Sequence, residues 1–193
     1  MGLRDICEGV RMRILCVAAL AAISLSTSYA WSAGTVPAKT RAVTIDAAAM
    51  TTTQRAKGHC WTSSIASRRS DAYRCMVGNA IHDPCFTIDT KSVACPVNPA
   101  TNTGLRITLT KPLPPSNAGN VHNPWTMQLA GGALCNIGTG TVIPDYPFYC
   151  TGNMVCAAPP ATDRSAVFVA CGKPKSALKV KPAGHYLVTV MYE

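Results

Sequence analysis

Carboxylates are scarce in this chain. Nine Asp and Glu stand against 18 Lys and Arg in 193 residues, a formal charge of +9. A paired-carboxylate hydrolase of the glycosidase kind would have to draw on Asp71, Asp83, Asp89 or Asp145. Cys-x-x-Cys is absent, and the closest cysteines, Cys150 and Cys156, have five residues between them. That spacing argues against a zinc site. His-Glu-x-x-His, Gly-x-Ser-x-Gly and the Gly-Lys-Ser/Thr ending of a phosphate loop are also missing, which removes three common catalytic and nucleotide-binding signatures. Neither a metal nor a cofactor is expected. Helical periodicity is the last shortage, since no long run places apolar residues at a period of 3.6.

What is present begins with a leader. Arg11-Met-Arg13 precedes the apolar run ILCVAALAAISL at 14–25, and Ser28 and Ala30 supply small residues at −3 and −1 of a cleavage after Ala30. Residues 1–30 thus read as a secretory signal peptide, with Met12 an alternative start. The run is shorter than the roughly 20 residues of a membrane span, so no stable transmembrane segment is expected after cleavage. Removal takes three arginines, Asp5 and Glu8, and the charge falls from +9 to +8. It also takes Cys7 and Cys16, leaving Cys60, Cys75, Cys85, Cys95, Cys135, Cys150, Cys156 and Cys171.

An even set of cysteines in an exported chain reads as a disulfide framework. If all eight pair, no free thiol remains for catalysis. Cys60–Cys75, Cys135–Cys150 and Cys156–Cys171 each enclose 14 residues. Equal spacing fits three hairpins closed across their open ends, or coincidence. About a hundred pairings are open to eight cysteines, and Cys85–Cys95 is the local pair expected. A bridge closing a loop of about 15 residues stabilises by roughly 3 kcal/mol in the chain-entropy model.

The body of the chain alternates apolar and polar residues. Residues 31–58 read as a flexible lead-in with one short edge strand at Ala42–Asp46, and residues 59–193 as the disulfide-rich β domain. Tyr73, Cys75 and Val77 alternate with Arg74 and Met76, which predicts a strand; a helical turn from Ser70 to Gly78 is the competing reading. Gly78-Asn79 and Asp83-Pro84 read as turns. Phe86–Thr90 with Ser92–Cys95 predicts a hairpin, as does Trp125–Leu129 with Ala133–Ile137 across Gly131-Gly132. Leu105–Thr110 is a half-buried strand, and the proline-rich 111–120 is a surface loop. Leu178–Lys181, a Pro182–Gly184 turn and the doubly apolar run His185–Tyr192 close the chain, the last as a central buried strand. The expected fold is all-β: a small disulfide-stapled sandwich or barrel of short antiparallel strands and hairpins.

Cys60-Trp-Thr-Ser-Ser, Asp71-Ala-Tyr-Arg-Cys-Met-Val-Gly-Asn79 and Asp83-Pro-Cys-Phe86 resemble a family of uncharacterised exported bacterial proteins. Leu109–Pro114, Pro124-Trp125 and Gly131–Cys135 are similar as well. The resemblance implies export and brings no catalytic residue.

Histidines offer little organised chemistry. No two of His59, His82, His122 and His185 stand at a metal-ligand spacing, and His82 next to Asp83 is no dyad because neighbours on a strand face opposite ways. Ser176-Ala-Leu-Lys179 matches Ser-x-x-Lys without the partner motifs of that enzyme class. Charge is the remaining signal. Arg55, Lys57, Arg68, Arg69 and Arg74 form one basic group, and Lys173, Lys175, Lys179 and Lys181 a second. A positive excess concentrates anions at the surface. The expected function is non-enzymatic binding of an anionic cell-envelope polymer or a secreted protein, through Trp61, Arg68, Arg69, Tyr73 and Arg74. Nucleic acid is not an expected partner, because the basic residues lack regular aromatic interleaving. The alternatives are a small secreted hydrolase using His59 or His82 with an aspartate, and a structural envelope protein with no discrete ligand.

Overall fold

Alternation produces strands throughout the described residues, which in this computed structural model are 39–119, 121, 123–160, 166–176 and 179–193. The signal-peptide reading, residues 31–38 and His122 lie outside them. The strands are β1 (Arg41–Val43), β2 (Thr51–Ser63), β3 (Ala72–Val77), β4 (Ala80–Asp89), β5 (Ser92–Asn98) and β6 (Thr103–Leu109). There follow β7 (Thr126–Leu129), β8 (Leu134–Ile137), β9 (Phe148–Cys150), β10 (Met154–Cys156), β11 (Val167–Ser176) and β12 (Lys179–Tyr192). A 3-10 turn, Pro99–Thr101, interrupts them.

The chain builds two closed barrels. Strands β2 to β6 form a five-stranded meander whose last strand pairs with its first in parallel. An odd meander can close in no other way, because strand direction reverses at each turn. Strands β7 to β12 form a six-stranded antiparallel meander, closed by β12 against β7. Closure leaves neither barrel a free sheet edge around its ring.

Three apolar clusters follow from this architecture. Tyr73, Val93, Leu105 and Ile107 fill the first barrel with its four cysteines. Met127, Leu129, Phe148, Val169, Val188 and Met191 fill the second. A third cluster lies between the barrels, where Ala72, Phe86 and Ala94 meet Trp125, Val190 and Tyr192. Phe86 and Trp125 rings meet there at 6.0 Å between centroids. The middle of β4, the start of β5 and the carboxy-terminal end of β12 are therefore buried on both faces, which is why the end of the run His185–Tyr192 lacks clean alternation.

The eight cysteines among the described residues pair as Cys60–Cys75, Cys85–Cys95, Cys135–Cys150 and Cys156–Cys171. The three equal spacings are real, and each joins directly opposed residues of paired strands. Each pair staples one rung of a ladder, with Cα atoms 3.8–4.1 Å apart.

Three local expectations change. Residues 39–58 are part of the fold rather than a flexible lead-in: β1 adds to β12 in parallel, Ile45 and Ala47 are buried, and β2 begins at Thr51. Their small apolar residues fill the seam between the barrels, a long-range contact that local composition does not reveal. Asp83-Pro84 is no turn. It lies inside β4 as a cis peptide, opposite Arg74 alone in a β-bulge. The bulge breaks the ladder at the residue that lacks an N–H. Pro182–Gly184 likewise lies within β12, where Ala183 is the extra residue of a bulge facing Cys171 and Gly172. The bulge is possible because residue 172 is glycine; a Cβ there would collide with the Val180 side chain and the Lys181 carbonyl.

Candidate functional site

Two bulges flank one residue. On the β2 side of β3 the register slips between Cys60 and Thr62, so Trp61 is unpaired and extruded, 40% exposed. On the β4 side lies the Asp83-Pro84 bulge. Arg74 sits between them. Its guanidinium carbon lies 5.7 Å from the Trp61 ring centroid, and its Nη2 donates to the Thr139 carbonyl at 3.2 Å. Nε is 3.8 Å from Asp83 Oδ2, beyond hydrogen-bond reach, and is buried without a partner. Bulges re-aim side chains in this way.

Asp83 is the buried carboxylate of the first barrel. Its oxygens accept from the Ser64 hydroxyl and, at 3.3 Å, from the Ile65 N–H. Burial pushes the Asp83 carboxyl above the usual aspartate range, against those hydrogen bonds and the pull of Arg74. The Ser64 oxygen is itself occupied, accepting from the Ala66 and Ser67 N–H groups at 3.1 and 2.9 Å. Ser64 is therefore a turn-forming serine and no nucleophile. A cavity of about 140 Å³ opens beside Asp83 between the barrels, walled by Pro84, Pro96, Trp125 and Asn136. Trp125 Nε1 is buried with no partner.

The other residues expected to bind ligand scatter. Tyr73 is 7% exposed and packs in the first barrel's interior, so it offers no surface. The apolar residues of that barrel's cluster, among them Cys85, Leu105 and Ile107, draw it inward, which alternation leaves open. Arg69 is structural. Its guanidinium grips Asp71 through two bonds of 2.9 and 2.6 Å, donates to the carbonyls of Ile45 and Glu193, and stacks on Phe86 at 4.4 Å. Every face of that fork is occupied. Arg68 stays exposed and borders a different, apolar cavity of about 350 Å³ with Pro159, Met191 and Glu193.

Among the described residues the ion pairs are Arg69–Asp71, Arg74–Asp83 and Arg106–Asp89, and no histidine joins one. His82 is half-buried, which pulls its imidazole below the usual range.

The second basic group is organised more sharply than its sequence suggests. Beyond Gly172, β11 pairs with β12 alone, so residues 173–176 and 179–181 form a two-stranded ribbon outside the barrel wall. Lys173 and Lys181 are directly opposed across it. Lys179, two positions from Lys181, shares their face. Lys175 is the extra residue of a bulge between Pro174 and Ser176. All four lysines are exposed, and no Asp or Glu occurs between residues 164 and 192. The signal that could have revealed the ribbon is the Cys156–Cys171 rung, which marks where β11 leaves the wall.

Comparison with protein-family models, curated proteins and solved structures gives no match. No helix among the described residues is long and apolar enough to cross a membrane.

Proposed function

We propose that this chain is an exported, non-enzymatic binding protein for an anionic polymer of the cell envelope, with the lysine ribbon as its principal contact. The observation that carries the reading is the Lys173–Lys181 pair, two ammonium groups opposed on one rung with no carboxylate in that stretch of chain. Like charges directly opposite destabilise a ladder, and a bound anion between them reverses that sign. Lysines two apart on a strand stand about 7 Å from one another, a spacing suited to successive charges on a polymer. As flexible point charges they accept phosphate or carboxylate alike. Trp61, Arg68 and Arg74 give the first barrel a second, weaker set of contacts.

Export is supported by the leader-like start and by four disulfides, which persist in oxidising compartments. A binding role is favoured over hydrolysis because no histidine among the described residues pairs with a carboxylate and Ser64 is locked.

Fluorescein-labelled polyphosphate, titrated at two salt concentrations and followed by anisotropy, tests the reading. The intact protein binds more weakly at higher salt, and Lys173→Glu with Lys181→Glu lowers affinity at least about tenfold. Equal affinity for the charge-reversed variant would remove the ribbon from the function.

A further inference from the structure

The two disulfides of the second barrel touch. Cys135–Cys150 joins β8 to β9, and Cys156–Cys171 joins β10 to β11. Across the β9–β10 ladder Cys150 faces Met154 and Cys156 faces Phe148, so the two cysteines are diagonal neighbours on the same face of the wall. Their sulfurs lie 3.4 Å apart, and those of Cys135, Cys150 and Cys156 are all within 4.8 Å of one another. A continuous line of sulfur thus crosses four consecutive strands. Among the described residues the first barrel's cysteines form no such group. Cys135, Cys156 and Cys171 are buried and Cys150 is half-buried, which makes Cys150 the most accessible point of entry.

We propose that these four cysteines form a thiol–disulfide exchange site, at which electrons taken from an external dithiol are passed between the two bonds through Cys150 and Cys156. A thiolate of the dithiol attacks Cys150 Sγ, and the Cys135–Cys150 bond breaks with Cys135 leaving as thiolate. The second thiol of the reagent then attacks its own mixed-disulfide sulfur, releasing the Cys150 thiolate. Two electrons and two protons have passed to the protein, and the dithiol has become a disulfide. Next, the Cys150 thiolate attacks Cys156 Sγ. The Cys150–Cys156 bond forms, the Cys156–Cys171 bond breaks, and Cys171 leaves as a thiolate. This step is an exchange with no net oxidation. The product holds one bond, across β9 and β10, with Cys135 and Cys171 reduced. Held in contact, the two groups react at an effective concentration of millimolar or more, so transfer outruns attack by a second micromolar dithiol.

The test uses the intact oxidised chain. It is treated with limiting dithiothreitol, quenched in acid, alkylated, digested with pepsin and mapped by mass spectrometry. The expected product is a Cys150–Cys156 peptide with Cys135 and Cys171 alkylated, while Cys60–Cys75 and Cys85–Cys95 persist. A two-electron-reduced fraction containing native bonds alone overturns the proposal. So does a scrambled bond between the barrels, which would mean that unfolding drives the shuffle. As a second arm, Cys135→Ala with Cys171→Ala is expected to form Cys150–Cys156 on oxidation. A folded variant retaining two free thiols overturns the proposal, and if that variant does not fold, mapping of the intact chain decides.

Discussion

The two barrels carry the same number of staples and use them differently. The first is built from long strands, 13 residues in β2 and 10 in β4; Cys60–Cys75 sits in a ladder that continues on either side, and Cys85–Cys95 lies at the end of the β4–β5 ladder. The second includes β9 and β10 of three residues each and β7 and β8 of four. Strands that short hold few ladder hydrogen bonds, and the two disulfides supply much of what keeps them in register. A barrel wall can thus be held by length of pairing or, across its shortest strands, by covalent rungs.

The largest expected effect tests whether the two halves are one cooperative body. Phe86 is fully buried between them, and Phe86→Ala is expected to cost about 3–5 kcal/mol. In urea, tryptophan fluorescence and near-ultraviolet circular dichroism should still report a single transition. Two separated transitions would show that the barrels stand independently.

Staple removal sharpens the comparison next. Cys156→Ala with Cys171→Ala, and Cys85→Ala with Cys95→Ala, should each cost about 2–5 kcal/mol. Loop entropy alone makes the two nearly equal, within about 0.5 kcal/mol for these loop lengths. We expect the second-barrel pair to lose clearly more, because its strands have less ladder to fall back on. Equal losses in denaturant titrations would reduce the difference to chain entropy.

Arg69→Ala should cost about 1–3 kcal/mol, since it frees two backbone carbonyls and the half-exposed Asp71. Arg69→Lys should recover little, because an ammonium cannot span that fork. Full recovery by lysine, in the same titration, would make charge alone its contribution. Gly172→Ala should cost about 1–3 kcal/mol by overpacking the ribbon's base, and hydrogen exchange should show loosening confined to β11 and β12.

The smallest effect is pH dependence, which we place in the first barrel. Asp83 has its folded pKa raised by burial, so its contribution to stability is complete below pH 3.8 and is lost as pH rises through the folded value. Asp83→Asn should therefore gain on the parent as pH climbs from about 4. For His82, lowered by burial, the contribution is present above pH 6.5 and is lost as pH falls toward the folded value. Denaturation midpoints between pH 3 and 8 check both; a variant difference that stays flat with pH would show that Asp83 titrates normally.

Much of the strand content was legible because alternation and glycine turns are local. The hairpins at Thr90-Lys91 and Gly131-Gly132 appear where expected, and Cys85 pairs with Cys95. What stayed hidden depends on distant partners. No pattern in Thr51–Gly58 announces a parallel neighbour at Thr103–Leu109. Alternation gives Phe86 and Ala94 an outward face, but whether that face meets water or a second barrel is not written in the strand. For the same reason the sequence grouped Arg69 with Arg68: both are arginines on one loop, and a contact with Glu193 separates their roles. The bulges at Trp61 and Asp83-Pro84 were missed because each is a mismatch between two strands and belongs to neither alone.

Thr40 stands where one neighbour of β12 hands over to another. Its hydroxyl donates to the Val188 carbonyl at 2.6 Å and accepts from the Val167 N–H at 2.9 Å. Past it, β1 takes up Val190–Tyr192, the side of β12 that β11 has left. The amino-terminal strand is thus a selvedge: it covers the stretch of β12 that β11 has left and forms the margin of the sheet itself. A protease clip after Val43 would unpick that border, leaving hydrogen-bonding groups that a neighbouring molecule's strand can occupy. Loss of five residues from the start of the described chain would then be felt as self-association, far from any site of binding.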